Sequence, residues 1–368
     1  MKNKILAIVS AGFLLLGLMG CGASGSSSSK NQTTSSVTET SETDTSSLGT
    51  ASVAEETVTD SSFTDATIGT AAASSTDTIV RVGSLKGPTT IGLVDLMNKS
   101  DSKTSLGNYK FTMSADISEI TADFVGGDLD IALVPANVAS VLYNKTKGNV
   151  KVLYINTLGV LDCVTGNTEI KSFSDLNGKK ILSTGQGATP EYVVKYLKDK
   201  YNVTCDIEFL SEPTEVAARL EEDPSQIAIL PQPFVTVAET KNKKLTTAFS
   251  LSDAWDSVSK DSRMITGVTI VNSDFLKEHP DAVETFVKEA ADSISFISSD
   301  SEGTTADLVA KYGIIEKAPL AKKAIPECNI VFMNGKKMKS ALSGYLNILY
   351  KADPSSIGGK LPGEDFYY

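Results

Sequence analysis

Short apolar runs alternate with amphipathic segments along most of the chain after residue 77. Runs of about four to eight residues rich in Val, Ile and Leu predict strands, and apolar positions three or four residues apart predict helices. The predicted strands cover 78–84, 130–134, 150–155, 159–165, 180–182, 205–210, 226–230 and 267–271. The predicted helices cover 88–98, 137–143, 190–201, 214–221, 234–240, 280–296, 306–312 and 336–350. This alternation predicts βαβ units, mainly parallel sheets and an α/β fold.

Two stretches of the chain share one layout. Residues 80–97 (VRVGSLKGPTTIGLVDLM) and 179–197 (KKILSTGQGATPEYVVKYL) each read as a strand, a glycine-containing turn and a helix. Pro88 and Pro190 fall at the first helical position, where a missing N–H leaves no intrahelical bond unmade. Each stretch is therefore interpreted as the opening βα unit of its own lobe.

The order of the elements predicts how two lobes share the chain. The strand at 267–271 follows the second α/β block, and the rest of the chain is largely helical. We expect a first lobe built from residues 78–163 and 264–368, with a second lobe, residues 164–263, inserted into it. The two crossings between the lobes would form a hinge, and a ligand cleft would lie between the lobes.

The N-terminal residues carry the pattern of an export signal. Lys2 and Lys4 precede a short apolar run at 5–19, which leads into the motif LMGC ending at Cys21. The run is shorter than the roughly 20 residues that span a bilayer, with an ordinary transmembrane anchor as the alternative. The motif is similar to the lipobox of bacterial lipoproteins, which implies that residues 1–21 are a lipoprotein signal peptide and that Cys21 carries palmitate and the lipid anchor.

A polar segment follows the lipobox. Residues 22–77 are dominated by Ser, Thr, Ala, Glu and Asp. Such a composition buries too little apolar surface to offset the entropy of ordering, which predicts a disordered linker. With an acylated Cys21, this linker would tether a soluble body to the extracytoplasmic face of a bacterial cell membrane.

Composition excludes several classes of function. The chain has 34 basic and 45 acidic residues, a net charge of -11, and no basic cluster of the kind that binds nucleic acid. Cys163, Cys205 and Cys328 are widely separated without a CxxC pair, which favours buried thiols over a disulfide framework or zinc site. His279 is the only histidine. The sequence therefore predicts no catalytic residues, no metal site and no cofactor.

The stretch STGQGATP, residues 183–190, is similar to a loop that holds phosphate. A P-loop ends in Gly-Lys-Ser/Thr, and a dinucleotide fingerprint has a third glycine three residues after the second. Neither feature is present. What remains is glycine-rich backbone at a helix N-terminus, which suits an anionic or polar group, with a purely geometric turn as the alternative.

Candidate ligand contacts follow from the scarcity of arginine. Arg263, at a predicted lobe crossing, is the one arginine placed to clamp a carboxylate. We therefore expect backbone N–H groups, hydroxyls and amides to hold the ligand, from Thr89, Thr90, Asn137, Gly185, Gln186, Gly187, Thr189 and Gln232. Trp255 and Phe234 are candidates for stacking on a flat ligand, with a place in the core as the alternative.

Five segments resemble a known family. They are LKGPTTIGLVDLM, DIALVPANVASVLYNKT, FSDLNGKKILSTGQGATPEYVVKYL, LPQPFVTVA and GVTIVNSDFLKEHP. In this order, across residues 79–350, they are similar to substrate-binding lipoproteins of ABC importers in the nitrate/sulfonate/taurine and thiamine-precursor class. The resemblance implies a type II periplasmic-binding-protein fold. It also implies that Thr89, Thr90, Pro135, Asn137, Gly185, Gln186, Gly187, Ala188, Thr189 and Gln232 face the cleft.

The resemblance implies a function and its partners. We expect a monomeric, lipid-anchored protein that captures a small polar or anionic solute, heteroaromatic solutes included, and delivers it to an ABC permease and its ATPase. Two alternatives share the fold: a sensor that presents its ligand to a membrane receptor, and an exported lyase-type enzyme. The single histidine and the export signal favour a binding protein over an enzyme.

Overall fold

The computed structural model describes residues 77–260, 262–300 and 302–368. The strands are β1 (Ile79–Leu85), β2 (Asn108–Ser114), β3 (Ile131–Pro135), β4 (Val150–Leu158), β5 (Leu161–Thr165), β6 (Lys180–Ser183), β7 (Asp206–Phe209), β8 (Ile227–Pro231), β9 (Thr246–Ser250), β10 (Ile265–Asn272) and β11 (Ile330–Met333). The helices are α1 (Pro88–Ile91), α2 (Val94–Asp101), α3 (Ile117–Gly126), α4 (Ala136–Lys145), α5 (Thr189–Tyr201), α6 (Pro213–Glu222), α7 (Phe234–Lys241), α8 (Leu251–Val258), α9 (Ser273–Glu278), α10 (Pro280–Ser299), α11 (Thr304–Lys311), α12 (Ala318–Ala324) and α13 (Gly335–Ala352). The 3₁₀ turns are Phe173–Leu176, Ile325–Cys328, Pro354–Ile357 and Glu364–Phe366. The predicted signal peptide, Cys21 and nearly all of the predicted linker lie outside the described residues.

The strands form two mixed sheets. The first sheet has the order β11-β4-β10-β3-β1-β2, and the second has the order β7-β6-β8-β5-β9. The α/β class is therefore confirmed, but the prediction of mainly parallel sheets is wrong. β1 pairs in parallel with β2 and β3, and β6 pairs in parallel with β7 and β8, whereas the remaining pairs are antiparallel.

Three strands with antiparallel partners, β4, β5 and β10, flank the two passages of the chain between the sheets. β4 ends the first run of the first sheet, and after Gly159 and Val160 the chain enters the second sheet as β5. The chain returns after α8 and enters the first sheet as β10, between β3 and β4 and antiparallel to both. These passages lie close to Cys163 and Arg263. The lobe boundaries themselves stay a prediction.

The helix predicted at 88–98 is two helices. α1 ends at Ile91 and α2 begins at Val94. Ser293 on α10 reaches this junction, where its hydroxyl donates to the Gly92 carbonyl (2.8 Å) and accepts from the Leu96 N–H (3.3 Å). A side chain inserted into the backbone ladder is a recognised cause of a helix break. The short α1 thus owes its form to a contact with a helix about 200 residues further along the chain.

Helices α5, α8 and α13 meet in an aromatic cluster. Trp255 on α8 lies with its ring 4.6 Å from that of Tyr196 on α5 and 5.4 Å from that of Tyr345 on α13. The cluster belongs to the largest continuous core, which also contains Cys163 and Cys205. All three cysteines of the described residues are buried and free. None of the described helices is both long enough and apolar enough to cross a membrane.

Candidate functional site

A cavity of about 400 Å³ opens where the parallel strands of both sheets end. Its wall contains residues at or just beyond the carboxyl ends of β1, β2, β3, β6, β7 and β8. In open α/β sheets this is the edge at which ligands bind. The cavity is therefore a candidate ligand site to which both sheets contribute.

The turn after β1 contributes one wall. The hydroxyls of Thr89 and Thr90 both donate to the Leu85 carbonyl, at 2.8 and 2.7 Å. Thr89 lines the cavity, whereas Thr90 is fully buried behind it, beside Ser84 (2.9 Å). With its proton committed to Leu85, the Thr89 hydroxyl can offer a lone pair to a ligand.

The glycine loop (residues 185–189) between β6 and α5 contributes the facing wall. Gly185 and Gly187 have φ of 77° and 74°, in the left-handed region that favours glycine. The Gly187 N–H donates to the Glu191 carboxylate (2.7 Å) and the Ala188 N–H to the Gly185 carbonyl (3.0 Å). These two N–H groups are therefore already bonded, contrary to the expectation that Gly187 offers its N–H to a ligand.

Six predicted site residues line the cavity and five do not. The lining residues are Thr89, Pro135, Gly185, Gln186, Ala188 and Thr189. The residues that lie behind or beside it are Thr90, Asn137, Gly187, Gln232 and Trp255. Each residue of the second group makes at least one hydrogen bond to the protein itself.

Trp255 is the clearest correction to the predicted site. Its side chain is 0% exposed, and the indole N–H donates to the Ser262 carbonyl (3.2 Å). A ring enclosed by Tyr196 and Tyr345 has no free face on which a ligand can stack. Phe234, the other stacking candidate, does line the cavity.

The side-chain amides of Gln232 and Asn137 form hydrogen bonds with other groups of the protein. The Gln232 carbonyl oxygen accepts from the Thr236 hydroxyl (2.9 Å), and its amide nitrogen lies 3.4 Å from Asp162. The Asn137 amide donates to the carbonyls of Gly187 and Ser356, both at 3.1 Å. Asn137 therefore holds the glycine loop from behind rather than lining the cavity.

Thr189 lines the cavity at the start of α5. Its hydroxyl is buried without a hydrogen-bond partner. Burial raises the pKa of the nearby Tyr345 phenol, and the Thr189 hydroxyl opposes this rise by a smaller amount. The Thr189 hydroxyl thus faces the core, and the residue offers the cavity mainly its backbone.

Sequence reasoning missed the wall that follows β2 and β7. Phe209, Leu210, Ser211 and Pro213 line the cavity, as do residues 115–118. A parallel strand predicted at 205–210 carries a signal for the first group, because its carboxyl end belongs at the ligand edge. The second group gave no such signal, because neither β2 nor α3 was predicted.

The cavity is poor in charge. Among the described residues, Lys86 and Asp116 are the charged side chains that line it, and Arg263 does not reach it. Asp162 lies outside the lining, where burial raises its pKa to about 6 against a smaller opposing effect of its hydrogen bond to Gln232. Within the part of the chain that the structure describes, no three His, Cys, Asp or Glu residues are grouped to hold a metal ion.

The chain matches one family model and several solved structures. The family model described as NMT1/THI5 like matches residues 150–303. An ABC transporter protein from Parabacteroides distasonis is 21% identical, with a TM-score of 0.65, and the match covers 79% of this chain and 99% of that one. The ligand-binding component of an ABC-type import system from Staphylococcus aureus is 16% identical, with a TM-score of 0.61 and coverage of 79% and 96%. No curated protein matches the sequence.

A third structure extends the comparison to a protein of stated ligand class. The periplasmic aliphatic sulphonate binding protein SsuA from Escherichia coli is 10% identical, with a TM-score of 0.62 and coverage of 79% of this chain and 92% of that one. At these identities the structural matches establish the fold alone. The family-model match and these neighbours agree with the family resemblance found in the sequence and with the periplasmic-binding-protein fold that it implies.

Proposed function

We propose, from the periplasmic-binding-protein fold of the described residues, that the protein is the solute-binding component of an ABC-type importer. The observation that carries the proposal is the cavity of about 400 Å³ at the carboxyl ends of six strands from two sheets. Its volume lies in the range of small-molecule sites. A site divided between two sheets joined by two passages suits capture and release by hinge bending.

The wall of the cavity supports a solute with a polar end and an apolar body. Phe209, Leu210 and Phe234 form an apolar surface on the side of the second sheet. The Thr89 hydroxyl and the backbone of the glycine loop offer polar contacts. With one cationic and one anionic side chain in the wall, we propose that hydrogen bonds and apolar burial hold the solute, as the sequence predicts for a small polar or anionic molecule.

The proposal extends to the anchor and the partners. The lipobox ending at Cys21 and the polar segment at 22–77 favour a lipid-anchored protein on the extracytoplasmic face of a bacterial membrane. The neighbours from ABC-type import systems favour a permease and its ATPase as partners. We propose that the protein acts as a monomer and that it does not transform its solute.

Thermal unfolding of the purified full-length protein with a solute panel tests the proposal. The panel contains nitrate, alkanesulfonates, thiamine precursors, flavins and aromatic acids. We expect one class to raise the unfolding midpoint in a concentration-dependent way, because binding to the folded state alone stabilises it. Mass spectrometry of small molecules released from protein purified from its host should identify the same class.

Thr89→Val provides the matched control for specific binding. The substitution removes the hydroxyl of a residue that lines the cavity, while the Leu85 carbonyl keeps its bond from Thr90. We expect the unliganded midpoint to change little and the affinity for the identified solute to fall by about tenfold, the effect of one lost hydrogen bond. Three results together would refute the proposed function. The protein would carry no small molecule, would gain no stability from any panel member, and would be dispensable for uptake of all of them.

A further inference from the structure

One face of α4 holds the C-terminal end of the chain. Asn137, Ser140 and Asn144 lie three and four residues apart and therefore on the same side of the helix. Ser140 donates to the Ile357 carbonyl (2.9 Å), and Asn144 donates to the carbonyls of Ile357 (2.9 Å) and Lys360 (2.8 Å). These bonds fix the 3₁₀ turn Pro354–Ile357, called the C-terminal turn, against a helix that packs on the first sheet.

Asn137 differs from Ser140 and Asn144 because its side-chain amide also bonds to a residue outside the C-terminal segment. One N–H donates to the Ser356 carbonyl at the C-terminal turn, and the other donates to the Gly187 carbonyl in the glycine loop (both 3.1 Å). The loop connects β6 of the second sheet to α5. A single amide therefore joins the first sheet's side of the molecule to the loop that lines the cavity.

The chemistry of this link requires an amide. Both acceptors are carbonyl oxygens, so the NH₂ group of Asn137 must face them, and its own oxygen is left buried without a donor. A serine offers one hydrogen and an aspartate offers none. The residue is 0% exposed, so bulk water does not reach its side chain in the folded protein.

A second contact joins the same two sides. The Lys195 ammonium on α5 donates to the Asp353 carboxylate (2.6 Å), which directly precedes the C-terminal turn. On the other side of the loop, the Gly187 N–H is held by Glu191, also on α5. The peptide groups of Gly187 are thus fixed on the N–H side by its own helix and on the carbonyl side by Asn137.

We propose that Asn137 is a positioning residue that ties the glycine loop to the first sheet. The tie sets the fraction of molecules whose cavity is in the arrangement that binds solute, called the binding-ready fraction. The inference rests on the proposed function, since it assigns the loop to the solute site. Loss of the tie would lower the binding-ready fraction and weaken the apparent affinity in proportion.

Asn144 supplies a matched control on the same helix. Its amide also donates to two carbonyls and its oxygen is also unpaired, but both carbonyls, those of Ile357 and Lys360, belong to the C-terminal segment. Hydrogen exchange of the ligand-free, full-length protein is measured for Asn137→Ala and Asn144→Ala. We expect faster exchange around residues 354–360 in both variants. Only Asn137→Ala should speed exchange in the glycine loop, by about tenfold for one lost bond.

The solute identified for the wild type then gives the second measurement. We expect its dissociation constant to rise about tenfold in Asn137→Ala and less than twofold in Asn144→Ala, at similar unfolding midpoints. Asn137→Ser, which retains one donor, takes its place in both measurements if Asn137→Ala does not fold. Equal loop exchange in the 137 and 144 variants overturns the inference. Because exchange needs no ligand, this result is separate from a failure to find any solute.

Discussion

The two glycines of the glycine loop meet different surroundings although both have positive φ. A Cβ at Gly185 would lie 2.9 Å from the ring of Pro190, whereas a Cβ at Gly187 would meet nothing within 4 Å. The left-handed conformation alone costs a non-glycine residue about 1–2 kcal/mol. The loop therefore demands glycine for conformation at both positions and for space at one.

The difference gives a prediction for a pair of alanine variants. We expect Gly187→Ala to lower the free energy of unfolding by about 1 kcal/mol, from backbone conformation alone. Gly185→Ala should cost more, about 2–3 kcal/mol, because the added methyl group also presses on Pro190. Urea unfolding measures both values, and equal costs would show that the contact with Pro190 relaxes freely.

Asp162 gives a prediction for the dependence of stability on pH. Burial raises its folded-state pKa to about 6, above the ordinary value of 3.8 for an aspartate. The folded state therefore binds the proton more tightly than the unfolded state, so the contribution is fully present below about pH 4 and is lost as pH rises through about 6. Above that pH a charged carboxylate stays partly buried beside Gln232.

We expect Asp162→Asn to raise the free energy of unfolding at pH 7.5 by roughly 1–3 kcal/mol and to have little effect at pH 4. The amide keeps an oxygen for Gln232 and carries no charge. Urea unfolding at the two pH values is the measurement. Asp256→Asn, at an exposed position of α8, changes the net charge equally and should show no such difference. A gain of the same size at both pH values would contradict the assignment.

Among the elements, the meeting of α5, α8 and α13 explains why Trp255 is not a ligand contact. The indole ring fills the space between Tyr196 and Tyr345 and is completely buried. We expect Trp255→Phe to destabilise the protein by about 1–3 kcal/mol, because the smaller ring leaves a cavity. Affinity for the identified solute should stay within twofold.

The fluorescence of the wild type provides an independent check on this placement. Trp255 is the only tryptophan of the sequence, so its emission reports on one position. Iodide should quench that emission poorly, with or without solute. Strong quenching that a solute relieves would return Trp255 to the cleft.

At the scale of elements, the sequence predicted those helices and strands that local patterns determine. The helices that begin near Pro190 and Pro280 and the buried strands near 131 and 268 were recovered because periodicity and proline mark them. The break between α1 and α2 was missed because Ser293, distant in sequence, causes it. The antiparallel placement of β10 depends on the path between sheets, which no local pattern contains.

At the scale of the whole molecule, a cavity shared by two sheets predicts a change of shape on binding. If the two passages act as a hinge, a solute that contacts both walls favours the closed arrangement. We expect saturating solute to lower the radius of gyration in small-angle scattering. The stability of the wild type should also rise, by about 2.7 kcal/mol at 100 times the dissociation constant. At a solute concentration equal to the wild-type dissociation constant, Thr89→Val should be less compact than the wild type, because it binds less solute. Stabilisation without compaction would contradict the hinge.

Part of the candidate site, which spans both sheets, could be predicted from the sequence. The pairing of the turns after β1 and β6 was visible because each has glycine and proline before a helix, and residues of both turns line the cavity. Asn137 and Gln232 were predicted to face the solute because arginine is scarce, which left amides as ligand contacts, and because the family resemblance implies that position. Their actual partners, Gly187, Ser356 and Thr236, are set by packing.

The burial of Cys163, Cys205 and Cys328 has a practical consequence. Burial raises the pKa of all three thiols, so little reactive thiolate is present at neutral pH. In protein whose Cys21 is acylated, a cysteine introduced at an exposed position of the cavity rim, such as Ser211, can then be labelled selectively with a maleimide dye while these three thiols stay in place. The folded body would become a fluorescent reporter for its own solute, able to search a metabolite extract even while the identity of that solute is unknown.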